Sequence, residues 1–244
     1  MTESSPGSED AQTVALACRV LAHQGLAEDV LGHVSLRTGP TTMLVRSRGP
    51  EEEGLLFSTT KDVREVDLDA TGELGDGYRP PNELPIHAEV MRARPDVRAV
   101  VHVHPPAVVA ADLAGLPLRP IIGAYNIPAL RMAEAGIPVF PRGALITRRE
   151  LGVELAQAMG DAPVCLLRAH GLVTVGDTVA QAVVRALNID ALARLTLRLG
   201  TTLHDVPDLP PEDLAELPDL GSGFNDGQIW RHQLARLRHA GLCS

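Results

Sequence analysis

Four residues in this chain have types and spacing that suit metal chemistry: Glu83, His102, His104 and His170. His102 and His104 lie in VRAVVHVHPP, a β-branched run that reads as a buried strand. Residues two apart on a strand point to the same face, so both imidazoles aim at one place. As ordinary core residues, each would need its own polar partner inside an apolar run, which favours ligation instead. His170 follows a second apolar run, PVCLLRAHG, where a turn glycine is expected to end the strand. Three neutral imidazoles with an open coordination position suit zinc, manganese or a similar divalent cation used as a Lewis acid. Glu83, in PPNELPIHAEVM, falls at the expected start of a helix. There a carboxylate either complements the helix dipole or works beside the metal as an acid/base group. His87, one turn later on the same face, either joins the site or orients its neighbours from behind.

These side chains need elements that bring distant segments together. From Asp10 as a cap, AQTVALACRVLAHQG reads as an amphipathic helix stopped by Gly25. Short strands are expected at VSLRT, TMLVRS and LLFST, and a turn in LDATGEL joins two more. A helix over 84–93 precedes Pro95 and the strand bearing the two histidines. Another helix is expected at 148–159, then the strand pair LLRAHG and LVTVG. Thr178 and Gln181 form a capping box for a long helix ending near Gly200. The division is therefore a disordered tail over 1–10, one catalytic domain over 11–200, a Pro- and acid-rich linker over 201–223, and a C-terminal helix over 224–244. Trp230, Arg231 and His232 in that last helix either close a pocket or simply pack, and packing is the favoured reading. Early short strands followed by interleaved helices and strands imply one mixed sheet with helices on both faces.

Composition narrows the function. At 244 residues the chain can bury a sizeable core without disulfide staples, and with 2% aromatics that core must be aliphatic. The net charge of −9 argues against nucleic acid or an anionic membrane as partner, though local arginines can still bind an anion. Cys18, Cys165 and Cys243 are odd in number and widely spaced, which suits reduced thiols in a cytoplasmic protein, Cys165 being a small core residue rather than a nucleophile. No secretory signal and no membrane-spanning segment is visible.

The stretch NELPIHAEVMRARPDVRAVVHVH resembles the metal-binding block of the class II aldolase/adducin family. LLRAHGLVTVG is similar to the later segment that supplies the family's third histidine, and GHVSLR at 32–37 to its early G-N-x-S-x-R loop. Order and spacing together make the match specific, over about residues 11–200. The resemblance implies an α/β fold: a three-layer α/β/α single domain around a mixed, largely antiparallel sheet. It implies a divalent ion (Zn2+ or Mn2+) on His102, His104 and His170, with Glu83 as acid/base group and additional ligand. It also implies a homotetramer, with Tyr125 in IIGAYNIP as a general acid lent to a neighbouring subunit.

Two departures bear on the substrate. His33 stands where the family usually has Asn, and Pro81-Asn82 where phosphate users have two serines. Proline has no N–H to give, so both changes argue against a phosphorylated substrate. His33, Ser35 and Asn82 remain as substrate contacts, with Arg37 and Arg168 as candidate carboxylate clamps. The expected partner is thus a small carboxylic acid with vicinal oxygens. The reaction is carbon–carbon cleavage through an enediolate or dienolate, most readily decarboxylation of an aromatic diol acid such as dihydroxyphthalate. The alternatives are retro-aldol cleavage of an unphosphorylated hydroxy-ketone or hydroxy-acid, sugar-phosphate epimerisation, which Glu83 in place of Asp disfavours, and a non-catalytic adducin-like interaction module.

Overall fold

The structure is a computed structural model that describes residues 6–220 and 222–243. In chain order, α1 (Pro6–His23) leads to β1 (His33–Arg37), β2 (Thr42–Arg46) and β3 (Val63–Asp67). Then come α2 (Leu84–Ala93), β4 (Ala99–Val103), α3 (Pro106–Leu113), α4 (Ile127–Glu134) and β5 (Val139–Phe140). α5 (Arg149–Met159), β6 (Val164–Leu167), β7 (Gly171–Gly176) and α6 (Val179–Leu199) complete the main body, followed by α7 (Pro211–Glu216) and α8 (Ser222–His239).

The strands form one seven-stranded sheet in the order β3-β2-β1-β4-β7-β6-β5, antiparallel throughout except for the β5–β6 pair. Alternation along the strands sorts the apolar side chains into two cores. Val34, Leu36, Ala99, Val101, Val103, Val164 and Leu166 pack with α1, α3, α4, α6 and α8. Met43, Val45, Val100, Leu167, Val173 and Val175 pack with α2 and α5 on the opposite face. This is the expected three-layer α/β/α architecture. β4 is the central strand and is buried along its whole length, which is why it reads as a continuous β-branched run.

α2 is bounded by prolines for physical reasons: Pro85 fits a helical first turn, where its missing N–H is not needed, and Pro95 forbids continuation. Its packing on α5 is close, since a Cβ on Gly152 would lie 2.6 Å from the Pro85 carbonyl oxygen. That contact anchors the turn of α2 that begins at Glu83.

Several sequence expectations are corrected. LLFST is not a strand: Leu55–Phe57 form a 3-10 turn whose Leu55 is fully buried, with its N–H bonded to the Asp29 carbonyl. A single inward leucine is all this segment supplies, and no strand alternation follows. After the Ala-Thr-Gly turn no second strand forms among the described residues beyond an isolated bridge between Arg48 and Arg79. α1 begins at Pro6, so residues 6–10 of the expected tail are helical, while 1–5 lie outside the described residues. The expected linker contains α7 and a 3-10 segment over Gly200–Asp205. Of the expected capping box, the Thr178 hydroxyl does accept from the Gln181 N–H, but the Gln181 side chain accepts from Asp177 instead of Thr178. Among the described residues, no helix is long and apolar enough to cross a membrane.

Candidate metal centre

The site lies where the central strand ends, on the face covered by α2. β1 and β4 pair so that His33 is directly opposite His102. His33, Ser35 and His102 therefore project together toward α2. His104 stands one residue beyond the end of β4, its N–H bonded to the Leu26 carbonyl at 3.1 Å, and keeps the same face. Glu83 is the N-cap residue of α2, yet its carboxylate makes no capping bond. It reaches inward instead, where Oε1 accepts the Ile146 N–H at 2.8 Å.

His170 arrives differently from the expectation. β6 stops at Leu167, and Arg168, Ala169 and His170 form a tight turn closed by the His170 N–H on the Leu167 carbonyl at 3.0 Å. The positive φ of that turn belongs to Ala169, at 52°, and not to a glycine. Gly171 is the first residue of β7 and is required for space: a Cβ there would lie 2.3 Å from the Val103 carbonyl oxygen.

One potential ligand atom from each of Glu83, His102, His104 and His170 lies within 4.8 Å of all the others. His102 Nε2 is 2.9 Å from His104 Nε2 and 3.4 Å from Glu83 Oε2, and His170 Nε2 is 3.6 Å from the same oxygen. His102 Nδ1 faces the Leu172 carbonyl at 3.0 Å, an acceptor only, so the ring carries its proton there and turns a lone pair inward from Nε2. Both ring nitrogens of His170 are buried without a hydrogen-bond partner. Orphaned imidazole nitrogens beside converging lone pairs and a carboxylate are what a divalent cation satisfies, with metal–nitrogen distances near ~2.0–2.1 Å. The four side chains fit such an ion.

Protonation favours the same state. Burial, aided by the neighbouring imidazoles of His102 and His170, pushes His104 down to about 3, so it stays neutral. Burial opposes ionisation of Glu83, but the close imidazoles of His102 and His170 outweigh it and hold the carboxyl well below its ordinary range. A neutral His104 and an ionised Glu83 are the forms in which such groups ligate a metal.

His87 is not one of the converging groups. Its Nε2 lies 2.6 Å from His33 Nδ1 and its Nδ1 2.6 Å from Ser35 Oγ, so it ties two β1 side chains together behind the site. Burial first, then the field of His102, lowers His87 to about 3 and leaves it with one N–H for two partners. Whichever partner takes that proton, the tautomer of His33 is fixed by the chain of bonds.

The two arginines are engaged elsewhere. Arg37 leaves the site and donates to the carbonyls of Met91, Arg94 and Val97 around the C-terminal end of α2, where a cation suits the helix dipole. Arg168 follows Leu166 by two and so points to the opposite face, where it pairs with Asp112 at 3.1 Å. Asn82 is exposed beside Pro81, Arg79, Thr147 and Arg149 in a cavity of about 360 Å³ that none of the three converging histidines lines. Tyr125 is 79% exposed in a 3-10 turn and makes no described contact with the four converging residues. Trp230 packs against the core while Arg231 and His232 are exposed, as packing of the last helix requires. Burial raises Cys165 to about 11, which keeps it a thiol.

Sequence reading missed the Leu172 carbonyl and the Ile146 N–H, because backbone groups carry no residue signature. It gave Asp112 no role beyond interrupting the apolar stretch from Val97 to Leu118.

The chain is 55% identical over 233 residues to a 3,4-dihydroxyphthalate decarboxylase from Arthrobacter keyseri, covering 94% of each chain. It is 54% identical to a protein of the same description from a Terrabacter species, over 93% of this chain and 96% of that one. An aldolase II superfamily protein from Pseudomonas syringae has the same fold, with a TM-score of 0.80 at 22% identity, over 98% of this chain and 96% of that one. Residues 12–197 match the Class II Aldolase and Adducin N-terminal domain, and the chain belongs to that family.

Proposed function

We propose that the chain is a divalent-metal-dependent carboxy-lyase acting on an aromatic diol carboxylate of the 3,4-dihydroxyphthalate type. The observation that carries this reading is the identity of 55% across 94% of both chains with a decarboxylase of that substrate. His102, His104, His170 and Glu83 would hold the ion, Zn2+ or Mn2+. When bound, it supplies a Lewis acid that polarises vicinal substrate oxygens and stabilises the negative charge left as CO2 departs.

Decarboxylation leaves the electrons of the broken carbon–carbon bond on the ring carbon, which must then take one proton. Glu83 suits that transfer. Its Oε1 is pinned by the Ile146 N–H, and its Oε2 faces the open centre, ionised and ready to collect a proton from a substrate hydroxyl. His33, held by His87 and through it by Ser35, presents a fixed imidazole beside His102, with ring centroids 5.1 Å apart. It takes the place of a small amide and would contact the substrate's acidic group. The same reading has the exposed Tyr125 completing the site of a neighbouring subunit in a homotetramer.

The test is an assay of the purified chain with added Zn2+ or Mn2+ on 3,4-dihydroxyphthalate, an unphosphorylated hydroxy-ketone and a ketose phosphate. CO2 release from the aromatic acid, abolished by chelator and restored by metal, is expected. An aldehyde product or preference for the sugar phosphate overturns the reading.

A further inference from the structure

The geometry points to Asp112 as a positioning residue for the metal centre: it holds the turn that aims His170. The inference rests on the metal-site reading above and extends it to a residue that touches none of the ligands.

Three observations converge. Ala169 has a φ of 52°, in the left-handed region that an L-residue with a Cβ enters at a cost. The turn from Leu167 to His170 needs that conformation at its third residue, a position usually given to glycine. A strained conformation persists only where its surroundings over-determine it. Here the Ala169 N–H donates to Asp112 Oδ2 at 2.8 Å, and the preceding Arg168 guanidinium pairs with Asp112 Oδ1 at 3.1 Å. One carboxylate thus grips two successive turn residues.

Asp112 is also out of place by local rules. It lies in the last turn of α3, at the negative end of the helix dipole, with its side chain only 6% exposed. Its contacts across to the turn account for a buried carboxylate there.

His170, finally, has no hydrogen bond to orient its ring, which only packs against His102 and His104. His102 is fixed through Nδ1 by the Leu172 carbonyl, whereas neither ring nitrogen of His170 has a hydrogen-bond partner. Its direction is set by the backbone that carries it, hence by Ala169 and Asp112. Loosening the turn would let the ring swing out of the cluster while the sheet stayed intact.

The test measures Zn2+ affinity of the metal-free full chain by competition with a chromogenic chelator, with circular dichroism as a check on folding. Asp112→Ala is expected to weaken Zn2+ binding by about tenfold to a hundredfold, as loss of a supporting partner of a metal ligand does. Ala169→Gly, which enters the left-handed region freely, should restore most of that loss when combined with Asp112→Ala. Asp112→Asn keeps a carbonyl acceptor and should fall between wild type and Asp112→Ala. If Asp112→Ala does not fold, the same cycle run with Asp112→Asn should show coupling of the same sign and smaller size. Absence of coupling to Ala169→Gly, or Zn2+ binding by Asp112→Ala equal to wild type, overturns the proposal alone. A wild-type chain that binds no Zn2+ overturns the metal centre and this proposal with it.

Discussion

Replacing Gly171 with alanine tests whether the ligand-bearing strands really meet as closely as the geometry states. A Cβ at Gly171 would lie 2.3 Å from the Val103 carbonyl oxygen, 3.1 Å from His104 Cα and 3.0 Å from His104 Cδ2. Two of these three atoms are backbone, so no change of rotamer relieves the clash. Gly171 is not among the residues of positive φ, and alanine suits its backbone conformation. On that ground alone the substitution would stabilise the chain by about 0.4–1 kcal/mol, through a less flexible unfolded state. Overpacking a closed interior costs about 1–3 kcal/mol, and an approach this short against backbone belongs at the upper end. Steric strain therefore wins, with a net loss of roughly 2 kcal/mol. For a chain of this size that lowers Tm by about 4–8 °C. β7 must also draw back from the end of β4, which moves His104 relative to His170 and weakens Zn2+ binding. Thermal unfolding of the metal-free protein and a Zn2+ competition titration read the two effects separately. A variant with unchanged Tm and unchanged Zn2+ affinity would refute the close approach and the reason given for a glycine here.

Three further outcomes follow from the site. Glu83→Gln keeps an acceptor for the Ile146 N–H, so it should fold and retain substrate affinity while losing about a hundred- to ten-thousand-fold in turnover; a loss of only a few-fold would reduce Glu83 to a structural role. His104→Ala should give a folded but metal-poor and inactive chain, and full metal content by elemental analysis would remove His104 from the centre. For pH, His87 is lowered from its ordinary 6.5 to about 3 by burial, so the unfolded chain binds this proton more readily than the folded one. Stability of the metal-free chain is therefore full above about pH 6.5 and falls toward pH 3, by up to about 1.4 kcal/mol per pH unit for this group. Urea midpoints across that window should show a shallower slope in His87→Gln, and an unchanged slope would contradict a buried neutral His87.

What was legible in the sequence follows from which atoms do the work. His102 and His104 could be placed on one face because strand alternation depends on position alone, and α2 could be bounded because Pro85 and Pro95 act through their own rings. The pairing of His33 with His102, by contrast, depends on which strand lies beside β4, and β1 reaches it only through an antiparallel register that short local patterns do not encode. The partners of the two arginines were hidden for the same reason. Arg168 differs from His170 by two positions, yet the turn between β6 and β7 breaks the alternation that would have put both on one face. Arg37 does share the face of His33, but the carbonyl-rich end of α2 takes its Nε and Nη2 donors.

That turn is also where the sequence gives least warning and the site depends most on tertiary contacts. Alanine is no turn signal, and the residue that makes its conformation tenable comes from a helix 57 positions earlier. His102 lies within the fully buried β4 and takes its alignment from the ladder, and His104 continues the strand by one residue. His170 stands outside the ladder, on three residues bounded by the end of β6 and by a glycine with no room for a Cβ. Ligands drawn from a rigid strand and from a braced turn respond differently to substitution. Changes on β4 should act on stability and metal binding together, whereas changes at Asp112 should separate the two. A centre built in this way can keep its sheet while losing its third imidazole.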